Sequence, residues 1–234
     1  MKVVILCGGR GTRLSEHGSL VPKVLTPIGG EPIVVHLMRH YADYGVTDFV
    51  LCLGYLKEQI EEYFVDAEVK FPSWSVTLVD TGLDTPTGGR VKAVEQLVRG
   101  EGTFMITYGD GLADVDVSAL LDDHRSHGRS ATLTAVRPVS NFGLIDIDAQ
   151  GHVTTFREKP VLKEWVNGGF FVVEPNIFEL LAGDSVLESD ALTELAARGE
   201  LMAFRHEGFW KCMDTHKDRM EFEELFVSSP PWIK

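Results

Sequence analysis

Cysteine is scarce in this sequence. The three present, Cys7, Cys52 and Cys212, are widely spaced and form no CxxC pair. An odd count without that spacing excludes a disulfide framework and a thiolate zinc site. Cys7 and Cys52 stand in apolar runs and read as buried thiols. No HExxH motif occurs, and none of the eight histidines is assigned to a metal. Positive charge is also in deficit: 22 Lys and Arg stand against 35 Asp and Glu, a net charge of −13. That balance lacks the basic stripe of a nucleic-acid binder and excludes that class of partner, while a local cationic pocket can still hold a small phosphorylated substrate. No apolar run approaches the roughly 20 residues that span a bilayer, so no membrane partner is expected. The opening MKVVILCGG has one Lys and no small-residue cleavage site; it reads as a buried strand rather than a signal peptide, and the expected compartment is the cytoplasm. Two familiar phosphate signatures are missing as well. There is no GxxxxGK[ST] loop, and the dinucleotide pattern begun by Gly9 and Gly11 fails at Leu14, where a third small residue belongs.

What remains is the pattern of an α/β protein. The 2–7 run is short, continuous and rich in β-branched residues, as in a strand buried on both faces. A glycine-rich loop follows, and Glu31-Pro32 opens a helix to about residue 44, with Ile33, Leu37, Met38 and Tyr41 at helical spacing. Further strands are predicted at 48–53, 75–79 and 104–108, and helices at 55–64, 89–98 and 115–127, the last with Ala119, Leu120 and Leu121 inward. This alternation predicts a parallel sheet covered on both faces. From residue 131 onward come short strands at 131–136, 143–148, 152–158 and 169–173, with helices at 176–181, 190–197 and 214–226. The expected fold is α/β and Rossmann-like: a mixed, mostly parallel sheet flanked by helices. There is no repeat or linker to divide residues 1–234 into more than one domain.

The stretch ILCGGRGTRL places Gly8, Gly9 and Gly11 directly after the first strand. Ligands of parallel sheets bind beyond the carboxyl ends of strands, where a glycine loop aims N–H groups at phosphates. A tight turn would explain the glycines alone. Arg10, Arg13 and the nearby Lys23 add three cations to one turn and suggest a polyphosphate, although each by itself is an ordinary solvated charge. Asp110, in Gly109-Asp110-Gly111 after the 104–108 strand, is either a turn residue or a magnesium ligand, since Mg²⁺ takes one or two carboxylates plus substrate phosphates. Asp214 stands before a helix and is either its N-cap or a second site carboxylate; spacing alone does not bring it near Asp110. Thr85-Pro86-Thr87-Gly88-Gly89-Arg90 enters a helix, offering N–H groups to an anion or base edge, or simply an N-cap at Thr87. Lys159 fits a sugar phosphate or a solvated surface; Asn167 fits a sugar hydroxyl or a turn.

Taken together, these segments resemble the sugar-1-phosphate nucleotidylyltransferases. The resemblance is carried by GGRGTRL with PK before a helix, TGGR at 87–90, YGDGLADVD at 108–116, FGLI at 142–145, FREKP at 156–160, WVNGGFFVVEP at 165–175 and GFWKCMDTHKD at 208–218. It covers nearly the whole chain, and the YGDG, NGGFFV and MDT blocks are similar to the cytidylyl branch. The resemblance implies transfer from CTP to a sugar 1-phosphate, glucose 1-phosphate by default, giving a CDP-sugar and pyrophosphate. Leu6, Cys7, Gly8, Gly9, Arg10, Gly11, Thr12 and Arg13 would cradle the nucleotide, with Thr85, Arg90 and Gly109 also in contact with it. Arg13 and Lys23 would neutralise phosphates, and with Asp110 they form the implied catalytic set. Asp110 and Asp214 would hold Mg²⁺, and Lys159, Asn167 and Gly168 would bind the sugar phosphate. Residues 1–136 would be the nucleotide-binding half and 137–234 the sugar-phosphate half, in a chain that assembles as a homo-oligomer. The same loop is compatible with UTP, dTTP or ATP, or with a non-catalytic nucleotide-binding regulator. Two departures stand out: Val24-Leu25 replaces the family's usual Pro-Met after Pro22-Lys23, and the segment between Phe64 and Ser75 is shorter.

Overall fold

The first apolar run is a strand, and its two-residue period explains why it reads as continuously hydrophobic. Val3 and Ile5, with Cys7, face one core, while Val4 and Leu6 face a second core across the sheet. The computed structural model describes residues 1–9 and 21–234. The expectations placed on Arg10, Gly11, Thr12 and Arg13 lie outside the described residues.

In chain order the strands are β1 (Lys2–Leu6), β2 (Pro27–Ile28), β3 (Glu31–Pro32), β4 (Asp48–Leu53), β5 (Ser75–Asp80), β6 (Phe104–Tyr108), β7 (Gly111–Ala113), β8 (Ala131–Val136), β9 (Leu144–Ile147), β10 (Val153–Arg157), β11 (Val166–Val173), β12 (Leu201–Arg205) and β13 (Trp210–Cys212). The helices are α1 (Ile33–Ala42), α2 (Lys57–Phe64), α3 (Ala67–Lys70), α4 (Thr87–Ala93), α5 (Glu95–Val98), α6 (Val117–His127), α7 (Thr193–Ala197) and α8 (His216–Ser228). Seven strands form one sheet in the order β12-β8-β11-β6-β1-β4-β5. All run in one direction except β11, which is antiparallel to both β6 and β8. The amino end of β11 therefore lies toward the carboxyl ends of its neighbours β6 and β8, where a parallel sheet binds ligands. On one face pack α1, α2, α6 and α8, burying Leu37, Tyr41, Ile60, Leu120 and Phe222; on the other pack α4, α5 and the 175–195 region, burying Val91, Val98, Phe178 and Leu192.

The mixed, mostly parallel sheet matches the expected architecture, with local corrections. The predicted 89–98 helix is broken at Val94 into α4 and α5. Helix α6 starts at Val117 because the Asp116 carboxylate caps it, accepting from the Ala119 N–H at 2.9 Å. Its buried positions are Val117, Leu120 and His124, three and four residues apart; Ala119 and Leu121 are only half-buried. The predicted 176–181 helix is a 3-10 segment, Pro175–Leu180, and the 190–197 helix begins earlier, as a π-helical turn over Leu187–Leu192. Strands β7, β12 and β13 were not expected; LMAFR and WKC carry little β-branched character, and pairing rather than propensity makes them strands. His36 and His40 stand four residues apart on α1, a spacing that can bind metal, but each ring is buried and placed against a backbone oxygen: Ile28 O at 2.9 Å and Val115 O at 2.8 Å.

Candidate active site

The glycine turn begins where β1 ends, and neighbouring strands hold its first residues. Cys7 N–H donates to Cys52 O at 3.0 Å, and Gly109 N–H donates to Leu6 O at 3.1 Å. The Arg90 guanidinium lies under the turn. A Cβ on Gly8 would fall 2.1 Å from Arg90 Cζ, so only glycine allows this approach. Arg90 is 5% exposed and donates to the carbonyls of Leu53 (2.8 Å), Gly82 (2.8 Å), Gly8 (3.2 Å) and Leu83 (3.2 Å) and to the Thr81 hydroxyl (2.7 Å). Burial works against its charge. In this arrangement Arg90 ties the end of β4 to two loops and lies beneath Gly8. Thr85 packs within the same loop, against Gly82 and Gly89. At the start of α4 the Gly89 N–H is taken up by Ser185 O at 2.9 Å. Thr87 is not the side-chain cap of α4; its hydroxyl engages Glu188 instead.

At the carboxyl edge of β6 the structure gathers three of the residues singled out in the sequence. Lys23 Nζ donates to Asp110 Oδ2 at 2.6 Å and to Asp214 Oδ1 at 2.7 Å. The pairing of β7 with β13 makes this possible. It sets Gly111 opposite Cys212, and Met213 N–H donates to Asp110 O at 2.9 Å, so residues more than a hundred positions apart lie side by side. Asp214 is thereby freed from capping α8. Thr215 takes that role in a reciprocal capping box with Asp218. The Lys23 side chain is 13% exposed, and burial alone would weaken its charge; the attraction of Asp110, reinforced by hydrogen bonds to both carboxylates, outweighs this and raises its pKa. Two carboxylates already converging on one cation are a hard-oxygen donor pair that suits a divalent ion completed by substrate phosphates and water. Cys212, next to this cluster, has its thiol pushed up to about 12 by burial and by Asp110 and Asp214, so it stays protonated.

The sugar-phosphate candidates separate. Asn167 and Gly168 lie at the amino end of β11, on the same edge as Tyr108. Asn167 Nδ2 donates to the Tyr108 hydroxyl at 3.2 Å, and Trp210 Nε1 donates to Gly168 O at 2.7 Å. Lys159 is exposed just beyond β10, with φ of +43°, and makes no ion pair among the described residues. Sequence reading missed Tyr108, Trp210 and Glu188 as members of this edge. Tyr108 and Trp210 lie inside the motif blocks, whereas Glu188, in LESDAL, carried no signal of its own.

The nucleotidyl transferase family model matches residues 2–224. The glucose-1-phosphate cytidylyltransferase of Salmonella typhi is 44% identical, covering 99% of this chain and 98% of that protein. A probable glucose-1-phosphate cytidylyltransferase of Bacillus subtilis (strain 168) is 41% identical, covering 97% and 96%. Among solved structures, HddC from Yersinia pseudotuberculosis superposes with a TM-score of 0.73 at 25% identity, covering 96% of this chain and 99% of that one. With a full-length family match, close relatives over nearly their whole length and a lysine–carboxylate cluster at the ligand edge of the sheet, the chain belongs to the nucleotidyl transferase family.

Proposed function

We propose that this enzyme transfers the cytidylyl group of CTP to glucose 1-phosphate, giving CDP-glucose and pyrophosphate. The observation that carries the reading is Lys23 held between Asp110 and Asp214 at the carboxyl edge of β6, in a chain 44% identical to a glucose-1-phosphate cytidylyltransferase. A sugar-phosphate oxygen attacks the α-phosphorus in line; the new P–O bond forms as the bond to pyrophosphate breaks, and pyrophosphate carries away the electron pair. Both reactants are anions, so the protein's work is positioning and charge neutralisation. Lys23 supplies positive charge at the phosphates, with Arg13 as its expected partner from the glycine turn. Asn167 and Gly168 orient the sugar phosphate, and Lys159 offers it a cation. Asp110 and Asp214 would hold Mg²⁺, which when bound neutralises phosphate charge. We place the reaction in the cytoplasm, where nucleoside triphosphates are available; among the described residues no helix is long and apolar enough to cross a membrane.

The homo-oligomer proposed for this enzyme has support in the β9–β10 hairpin. Pairing puts Ile145 opposite Phe156 and Ile147 opposite Val153, so all four share one face. All four are exposed, Phe156 at 65%, and a shared apolar face left in solvent is the kind of surface that marks contacts between chains. Light scattering on the eluting protein should show an oligomer that Phe156→Ser weakens; a monomeric wild type would end this part of the proposal. The catalytic reading is tested by pyrophosphate release with glucose 1-phosphate and Mg²⁺ across CTP, UTP, dTTP and ATP. A CTP-selective signal supports it, selectivity for another nucleotide replaces CTP, and silence with all four overturns it.

A further inference from the structure

We infer that Glu188 is a positioning residue of the sugar-phosphate subsite, holding Asn167 in place through the hydroxyl of Tyr108. The inference rests on the assignment of Asn167 to the sugar phosphate. Glu188 enters the edge of the site from the π-helical turn Leu187–Leu192, a backbone irregularity that recurs at functional sites. The Tyr108 hydroxyl donates to Glu188 Oε1, and the Thr87 hydroxyl donates to Glu188 Oε2 at 2.7 Å. Thr87 in turn accepts from Leu187 N–H at 2.9 Å, which closes the turn onto the start of α4. On its other side the Tyr108 oxygen accepts from Asn167 Nδ2 at 3.2 Å, and Asn167 Oδ1 accepts from Gly169 N–H at 2.9 Å. The backbone N–H of Gly169 requires an oxygen, so the Asn167 amide has one orientation and its NH₂ must face the phenol.

The ring that transmits this constraint is itself fixed. A Cβ on Gly169 would lie 2.4 Å from Tyr108 Cδ2, and Gly169 has φ of +80°, so the bulge in β11 exists where the ring lies against the backbone. Tyr108 also packs edge-to-face on Phe171. The charge of Glu188 needs a reason. Among the described residues it has no ion pair, and it stands one residue contact away from an edge that receives two phosphorylated substrates. A carboxylate there opposes anion binding, and it costs stability unless its oxygens are satisfied. Both are satisfied by hydroxyls belonging to two different segments. The phenol therefore serves both neighbours at once, its O–H donating to Glu188 and its oxygen accepting from Asn167.

The test is steady-state kinetics on the full chain. Glu188→Ala and Tyr108→Phe should each raise KM for glucose 1-phosphate about tenfold, since a misplaced orienting group costs up to roughly 10²-fold. KM for CTP should stay within about twofold, and the double variant should be no worse than either single one, because both break one chain of contacts. Glu188→Gln keeps a carbonyl for the phenol and should recover most of the loss. Tyr108→Phe retains the ring packing and serves as the probe if Glu188→Ala fails to fold. Equal rises in both KM values, additive effects, or lowered stability with unchanged KM would overturn the inference. Asn167→Ala is measured alongside. If it leaves KM for glucose 1-phosphate unchanged, the sugar-phosphate assignment fails; if it raises KM while Tyr108→Phe does not, only the role of Glu188 fails.

Discussion

Replacing Lys23 by Met keeps the length of the side chain and most of its apolar stem but removes the ammonium. Its Nζ lies 2.6 Å from Asp110 Oδ2 and 2.7 Å from Asp214 Oδ1. The two oxygens are thus at most about 5 Å apart, and at an effective dielectric near 20 their repulsion is about 3 kcal/mol once the ammonium is gone. Asp214 is 53% exposed and can swing away, so part of this is relieved. Two consequences differ in sign. Without nucleotide, Lys23 competes with a divalent cation for both carboxylates, so Lys23→Met should tighten Mn²⁺ binding, by roughly tenfold after that relief. In turnover, Lys23 is no longer there to offset phosphate charge, and kcat/KM for pyrophosphate release should fall by roughly 10²–10³. Calorimetric titration with Mn²⁺ and a coupled pyrophosphate assay measure the two effects on one preparation. Unchanged or weaker Mn²⁺ binding would refute the idea that the ammonium occupies the metal's place. A kcat/KM within about threefold of wild type would refute its part in charge neutralisation.

Asp110→Asn should abolish Mg²⁺-dependent turnover while moving the melting temperature of the ligand-free protein little, because Lys23 keeps Asp214 as a partner; a large fall in melting temperature would make Asp110 a structural residue. Arg90→Met should instead cost stability, about 3 kcal/mol from several buried carbonyls left without a donor, or roughly 6–12 °C in a chain of this size by thermal melt. A melting temperature within a degree or two would contradict the supporting role of Arg90. Asp218→Ala removes one side of the α8 capping box and should lower the melting temperature by roughly 2–4 °C near pH 7. Burial pushes the Asp218 carboxyl upward, but hydrogen bonds from Thr215 and Lys211 outweigh it and leave its pKa below the ordinary 3.8. Its contribution is therefore present above that value and lost as pH falls through the depressed one, so melts at descending pH should show the difference from wild type vanish only below about pH 4.

The class of the fold is legible in the chain alone, because strands such as Lys2–Leu6 and Asp48–Leu53 are apolar on both faces and are buried only inside a sheet covered on both sides. The sequence also marked the glycine turn, Lys23, the Gly109-Asp110-Gly111 edge and the NGG block, since each needs special residues at fixed local spacing. Three things lay beyond it. Its broken helices and short strands depend on partners: Val94 breaks a helix that has no proline there, and WKC becomes β13 only by pairing with β7. The approach of Asp214 to Asp110 depends on that same pairing, and with Thr215 supplying the cap, Asp214 is free to turn to Lys23. Arg90, expected from the resemblance to touch nucleotide, also meets carbonyls from the end of β4 and two loops that only the folded chain brings around it. Local chemistry is written along the chain, but which charge neutralises which, and which carboxylate meets which hydroxyl, is decided by contacts between residues far apart in sequence; those contacts exist only when the sheet is assembled.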